Sequence, residues 1–232
     1  MRFEWGPNGL RRLAPRVDAL VVVDVLRFST SVDVAVSRGA EVLPYRWEDG
    51  GEAADAAAHD AVLAERVDTA DGWSLSPASL ATIPAGTRVV LPSANGSALA
   101  FAAADAGVTM VIAGCLRNAA AVAAHLTGVC VGVLAAGERW RGGTGPLRPA
   151  VEDLLGAGAI LAGLDPAVMS PEARAARGAF LAERDRLDAA VAECASGREL
   201  AATGRARDLA WSSALDASTC VPVLRGDRFV AV

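Results

Sequence analysis

The sequence predicts an α/β protein of three layers, α/β/α, built on a largely parallel, mixed sheet. Apolar runs of strand length alternate with longer Ala- and Leu-rich stretches of helical character, the pattern of βαβ units. Several of the runs are continuously apolar rather than alternating, as in strands buried on both faces. The tail departs from that pattern, because VPVL, the turn RGD and RFVAV read as a β-hairpin that adds antiparallel strands.

Taken in order, DALVVVDVL (18–26) is the first strand and SVDVAVSRG the helix after it. AEVLPY (40–45) is the next strand, and the Ala-rich GEAADAAAHDAVLAE a helix. RVVLPS (88–93) leads through Asn95-Gly96-Ser97 into the helix SALAFAAADAG, and VTMVIAG (108–114) into NAAAVAAHL. GVCVGVLAA (128–136) is followed by a Gly/Pro-rich loop, GGTGPLRP (142–149), and then by the helix PAVEDLLGAGAILAGL, with Pro149 suited to a first turn. SPEARAARGAFLAERDRLDAAVAEC reads as one long charged helix. No repeat and no linker interrupts the chain, so residues 1–232 are expected to form one domain, or two closely packed lobes.

Composition excludes several classes. A chain of 232 residues that is 53% apolar can bury a substantial core and is not disordered. No apolar run is long enough for a bilayer, and MRFEWGPNGLRR has no apolar segment behind its charges, so no membrane association and a cytoplasmic location are expected. The net charge of −5 argues against a nucleic-acid surface. Cys115, Cys130, Cys194 and Cys220 show no ligand-type spacing, which suits free thiols. All 22 basic residues are arginine, which removes Schiff-base chemistry and the P-loop lysine. A GC-rich coding bias accounts for the Arg usage, and the exclusions hold either way. Ala-rich surfaces leave room for a homodimer.

In open α/β sheets ligands collect where strand ends lead into helix N-termini. Three such places carry polar residues. VVVDVLRFSTSV ends a strand on Asp24, follows it with Arg27, and places Ser29, Thr30 and Ser31 at the expected helix start. There they serve either as caps, with Ser29 or Ser31 at the N-cap, or as anion contacts. A buried ionised carboxylate at Asp24 requires a cation or hydrogen-bond donors. The second place is Asn95-Gly96-Ser97, where Gly permits close backbone approach. The third is Gly137-Glu138-Arg139, with Glu152 and Asp153 in the helix that follows. Consecutive residues diverge by ~100° around a helix, so one of Glu152 and Asp153 is expected to serve a site and the other to be solvated. Carboxylates beside arginines and Gly-hydroxyl loops suit Mg²⁺ and a phosphorylated ligand. His59 and His125 sit in Ala-rich helical patterns, and no Cys has Arg six positions later, so His- and Cys-based phosphatases are excluded. GAGAILAG (156–163) has glycines near a dinucleotide spacing but lies within a helix.

These pieces, in this order, resemble the 2-phosphosulfolactate phosphatase (ComB) family. The resemblance rests on VVVDVLRFSTSV, Glu65-Arg66, GWSLSP (72–77), ANGS (94–97), Ala136-Gly137, VEDLLGAGAI, SGREL (196–200) and LDASTCVPVL, which span almost the whole chain. The GWSLSP loop is two residues shorter than the family's, and Thr219 stands where a second Asp is common. The resemblance implies a Mg²⁺-dependent phosphomonoester hydrolase that converts a small acid bearing phosphate and sulfonate to 3-sulfolactate and phosphate, a step toward coenzyme M. Together with the strand-end reading it gives catalytic roles to Asp24, Arg27, Glu65 and Arg66, substrate contacts to Ser29, Thr30, Ser76, Asn95, Gly96 and Ser97, and a metal held by Asp24 with one or more of Glu138, Glu152 and Asp153. The attacking group is either water or Asp24 itself. The competing expectation is a non-catalytic anion-binding protein on the same scaffold.

Overall fold

The computed structural model describes residues 1–45, 51–65, 72–140 and 145–232. Its strands are β1 (Arg2–Trp5), β2 (Ala19–Val23), β3 (Glu41–Pro44), β4 (Val62–Leu63), β5 (Arg88–Leu91), β6 (Met110–Gly114), β7 (Val131–Ala135), β8 (Glu138–Arg139), β9 (Leu147–Arg148), β10 (Pro222–Arg225) and β11 (Arg228–Ala231). Nine of them form one sheet in the order β1-β7-β2-β6-β10-β11-β3-β5-β4, while β8 and β9 pair as a separate ribbon. The first four strands of that order are mutually parallel, and so are the last three. Between them the hairpin β10–β11 makes three successive antiparallel pairings, with β6, within itself and with β3. An odd number of reversals sets the two parallel blocks in opposite directions.

β2 shows why this sheet has a layer on each face. All five of its residues are fully buried, and they alternate between two cores. Ala19, Val21 and Val23 pack with Val122, Leu155, Ile160, Ala173, Phe180 and Val191. Leu20 and Val22 pack with Leu10, Leu13, Phe28, Val32, Leu99 and Phe229. The first set comes from helices Ala119–His125, Val151–Ala162, Pro171–Glu183 and Leu187–Glu193. The second comes mainly from Gly6–Leu13, Phe28–Ser37 and Gly96–Asp105. Period-two alternation with both sets apolar is what a continuous VVV run requires. The architecture is therefore the three-layer α/β/α fold with a mostly parallel, mixed sheet. Among the described residues no helix is long and apolar enough to cross a membrane.

Three local expectations are corrected. The Ala-rich stretch from 51 to 65 is helical only over Glu52–Ala58, because Asp60 takes a left-handed conformation (φ +50°) and Val62–Leu63 then joins β5 as an edge strand. The charged stretch from 170 to 194 is not one helix. It starts at Pro171, capped by Ser170 accepting from the Ala173 amide, and breaks at a 3₁₀ turn over Arg184–Arg186. The break turns Leu187 and Val191 onto the core already formed by Ala173, Ala176 and Phe180. Neither Ser29 nor Ser31 is an N-cap, since their helix begins at Phe28 with Arg27 before it. Of the glycines of GAGAILAG, Gly156 and Gly158 lie within the helix and serve packing, while Gly163 is its C-cap: a Cβ at Gly158 would stand 2.2 Å from the Ala176 carbonyl oxygen.

Candidate active site

β2 delivers Asp24 to its end, and the Ala136 amide donates to the Val23 carbonyl at 2.8 Å, so the first and third predicted places are neighbours. Asp24 is buried, and its two oxygens face two helix starts. Oδ1 accepts from the amide of Phe28 at 3.2 Å, the first residue of its helix, and Oδ2 from the amide of Gly96 at 3.0 Å, the first residue of another. Partial positive charge at both helix ends favours a carboxylate there. Opposing this, burial, and after it the charges of Glu138 and Glu152, push the Asp24 carboxyl up to about 7. Among the described residues no guanidinium bonds to it.

The hydroxyls after Asp24 are spent on the scaffold. Ser29 Oγ donates to the Val22 carbonyl at 2.9 Å and accepts from the Asp24 amide at 3.1 Å. Thr30 Oγ1 donates to Val25 O and Ser31 Oγ to Leu75 O, each at 2.8 Å. Ser97 Oγ donates to Leu91 O at 3.1 Å and accepts from the Tyr45 amide at 3.3 Å. Ser76 Oγ donates to Asp208 Oδ1, whose other oxygen accepts from Arg27 Nη1 at 2.8 Å. Ser29, Thr30, Ser76 and Ser97 are fully buried, so as placed they shape the turns and do not reach the cleft.

Both Glu152 and Asp153 are buried, which corrects the expectation that one is solvated. Asp153 is a latch: Oδ1 accepts from the Val25 amide at 2.7 Å and Oδ2 from the Gly137 amide at 2.8 Å, tying the ends of β2 and β7 together. Gly137 makes that turn at φ +67°, where other residues are strained. Burial, with Asp24 and Glu152 nearby, raises the Asp153 carboxyl well above the usual range. Glu152 lies near Cys194, whose thiol is pushed up to about 12 by burial first and by that charge second. Glu138 Oε1 accepts from Asn95 Nδ2 at 3.0 Å and from the Arg139 amide at 2.7 Å, so Asn95 joins the second predicted place to the third.

Of these groups Asp24, Asn95 and Glu138 open onto a cleft of about 660 Å³ that is also lined by Arg27, Glu65, Arg139, Trp140, Arg148, Ser196 and Glu199, whereas Glu152 and Asp153 lie behind its wall. Glu65 is exposed at its edge, where its amide donates to Trp73 O at 2.7 Å. Arg66 lies outside the described residues. A second cavity of about 600 Å³, beside Tyr45, His59 and Asp227, shares no residue with the first.

The sequence model of one family, described as 2-phosphosulpholactate phosphatase, matches residues 10–227. The chain belongs to that family. No curated protein matches the sequence significantly. As a member of the 2-phosphosulpholactate phosphatases the chain is a phosphoric monoester hydrolase, and the family implies a small phosphorylated acid as substrate.

For such a phosphatase the residues present fit Mg²⁺ in one particular way. Among the described residues no three acidic, histidine or cysteine side chains are placed to hold an ion by themselves. Mg²⁺ commonly takes only one or two carboxylates, with waters and substrate phosphate completing its shell. A buried Asp24 whose proton affinity is raised first by burial and then by neighbouring acids, and which has no cationic partner among the described residues, matches that need.

The cleft also contains groups to which the sequence assigned no role. Arg148 sits in the Gly/Pro-rich loop just ahead of the acidic helix start, and Glu199 and Ser196 lie in the SGREL segment. Asp208 carried no signal beyond being an acid in a helix, because its partners Arg27 and Ser76 are far away in sequence.

Proposed function

We propose that the chain hydrolyses a 2-phosphosulfolactate-like monoester, taking up water and releasing 3-sulfolactate and inorganic phosphate, and that it requires Mg²⁺. The observation that supports this most directly is Asp24: a carboxylate fixed by two helix starts, pushed up to about 7, and facing a cleft shared with Glu138.

Asp24 and Glu138 are the carboxylates we assign to the cation, with Glu152 contributing charge behind them. Bound there, Mg²⁺ supplies Lewis-acid polarisation of the phosphoryl group and neutralises its charge. The amides of Phe28 and Gly96 hold the Asp24 carboxylate in a fixed orientation, so little reorganisation is needed as charge develops. Arg27, itself oriented by Asp208, and Arg139 place positive charge on the cleft wall where an anionic substrate enters. Asp153 keeps the Asp24 turn and the Glu138 ribbon in register through its two amide bonds.

The test is phosphate release from a panel of small phosphorylated acids, with Mg²⁺ and with a chelator. Release that depends on the cation and is greatest for an acid carrying sulfonate supports the assignment. Absence of release from every member overturns it in favour of a non-catalytic anion-binding protein.

A further inference from the structure

Arg148 is more than nine-tenths buried, yet its guanidinium is met by a carboxylate that is mostly in water. Nη1 donates to Glu199 Oε1 and Nη2 to Glu199 Oε2, each at 2.9 Å, a parallel two-bond fork. The Arg148 side chain is 8% exposed and that of Glu199 is 63% exposed. Nη2 also donates to Ser196 Oγ at 3.1 Å, and the Trp140 ring centroid lies 5.4 Å from Cζ. The guanidinium is thus anchored by the buried Ser196, while its carboxylate partner lies on the outside, where a ligand can replace it. Nε is buried and has no hydrogen-bond partner among the described residues, so the arrangement with Glu199 seated leaves one donor unsatisfied.

The fork that receives Glu199 fits any planar or tetrahedral oxyanion of similar span. Its location is equally specific. Arg148 stands directly opposite Glu138 in the β8–β9 ribbon, and directly opposed residues project to the same face. One ribbon therefore presents an acid to the Asp24 end of the cleft and a guanidinium beside it.

We infer that Arg148 is the specificity-determining residue that grips the second anionic group of the substrate, its carboxylate or sulfonate, and that Glu199 occupies this position until the substrate displaces it. This rests on the phosphatase assignment for the identity of the first anionic group. A monoester lacking a second anion leaves Glu199 seated and gains nothing from Arg148. The product keeps the anion that Arg148 holds, so it competes with substrate.

Two measurements on the full chain test this. In calorimetric titration with 2-hydroxyethanesulfonate, which needs no turnover, Glu199→Gln is expected to bind about tenfold more tightly than wild type, and Arg148→Gln to lose most of the affinity. In kinetics, the ratio of kcat/KM for a phosphorylated sulfonic acid to that for ethyl phosphate is expected to fall about 100-fold in Arg148→Gln, to fall less in Arg148→Lys, which keeps charge without the fork, and to rise in Glu199→Gln through KM. Glu199 is exposed, so its variant carries little folding risk. Weaker sulfonate binding by Glu199→Gln, or equal losses on both esters in Arg148→Gln, overturns the inference and makes the pair a structural clasp. Sulfonate binding with this mutational pattern but no hydrolysis of any ester sinks the phosphatase assignment and leaves the anion site standing.

Discussion

The amide of Gly96 donates to Oδ2 of Asp24 across 3.0 Å, joining the loop after β5 to the end of β2 although 72 residues separate them. A side chain at Gly96 has no room. Its Cβ would lie 2.3 Å from Phe28 Cδ1 and 2.8 Å from Asp24 Oδ2. Gly96→Ala is expected to cost about 1–3 kcal/mol by overpacking. It should also lower kcat/KM at least tenfold, because the carboxylate must shift. Urea midpoints at constant m, alongside steady-state kinetics, check both; unchanged activity would show that the orientation of Asp24 is immaterial.

Asp24→Asn keeps the shape and removes the charge. The expected loss is about 10³-fold in kcat, the scale found when one preorganised charge-stabilising group is removed. Rapid-quench mass spectrometry of the wild type distinguishes the two routes of attack: phosphate covalently bound to Asp24 identifies it as the nucleophile, and its absence throughout the burst assigns the attack to water. A variant that turns over at nearly the wild-type rate excludes both roles for this residue.

The same substitution has a pH signature. In metal-free protein the Asp24 carboxyl lies at about 7, against an ordinary value of 3.8, with burial as the leading cause. Asp153 is shifted in the same direction. Between the two values the folded chain holds more protons than the unfolded chain, so stability falls as pH rises, by at most about 1.4 kcal/mol per pH unit for each group. The contribution is fully present below the unfolded value and lost as pH passes the folded one. With chelator present, Tm should therefore drop from about pH 4 to pH 7. Added Mg²⁺ should raise Tm most at the upper end, and Asp24→Asn should be more stable than wild type above pH 7. A Tm that ignores both metal and substitution would show that the carboxyl is not under this strain.

Asp208 is fully buried and holds Arg27 and Ser76 at once. Asp208→Ala leaves Arg27, 12% exposed, without its partner. Breaking a buried pair on one side costs about 3–5 kcal/mol, well above the scale of a surface pair. Chemical denaturation measures it, and a loss below about 1 kcal/mol would place Arg27 in water rather than in the cleft wall.

The sequence made β2 legible because five consecutive apolar residues ending in an acid fit a doubly buried strand and little else, and Asp24 was found for the same reason. The three polar places that converge on the cleft were each visible as strand ends. What the hydroxyls do was not visible: a serine after a strand looks the same whether it faces a ligand or, like Ser29, a carbonyl at the end of the preceding strand. The helix break at Arg184–Arg186 and the strand at Val62–Leu63 were hidden by Ala-rich and charged composition, which propensity reads as uninterrupted helix. Arg148 and Glu199 escaped because an ion pair 51 residues apart leaves no local pattern.

Placing β10 and β11 between β6 and β3 has a consequence for biogenesis. The facing edges of the two half-sheets, β6 and β3, lie before residue 115, whereas the strands that pair with both lie at 222–231 and close the seam between them. Until that wedge is made, both edges are open to mispairing, so chaperone demand should persist until residues 222–231 have been synthesised.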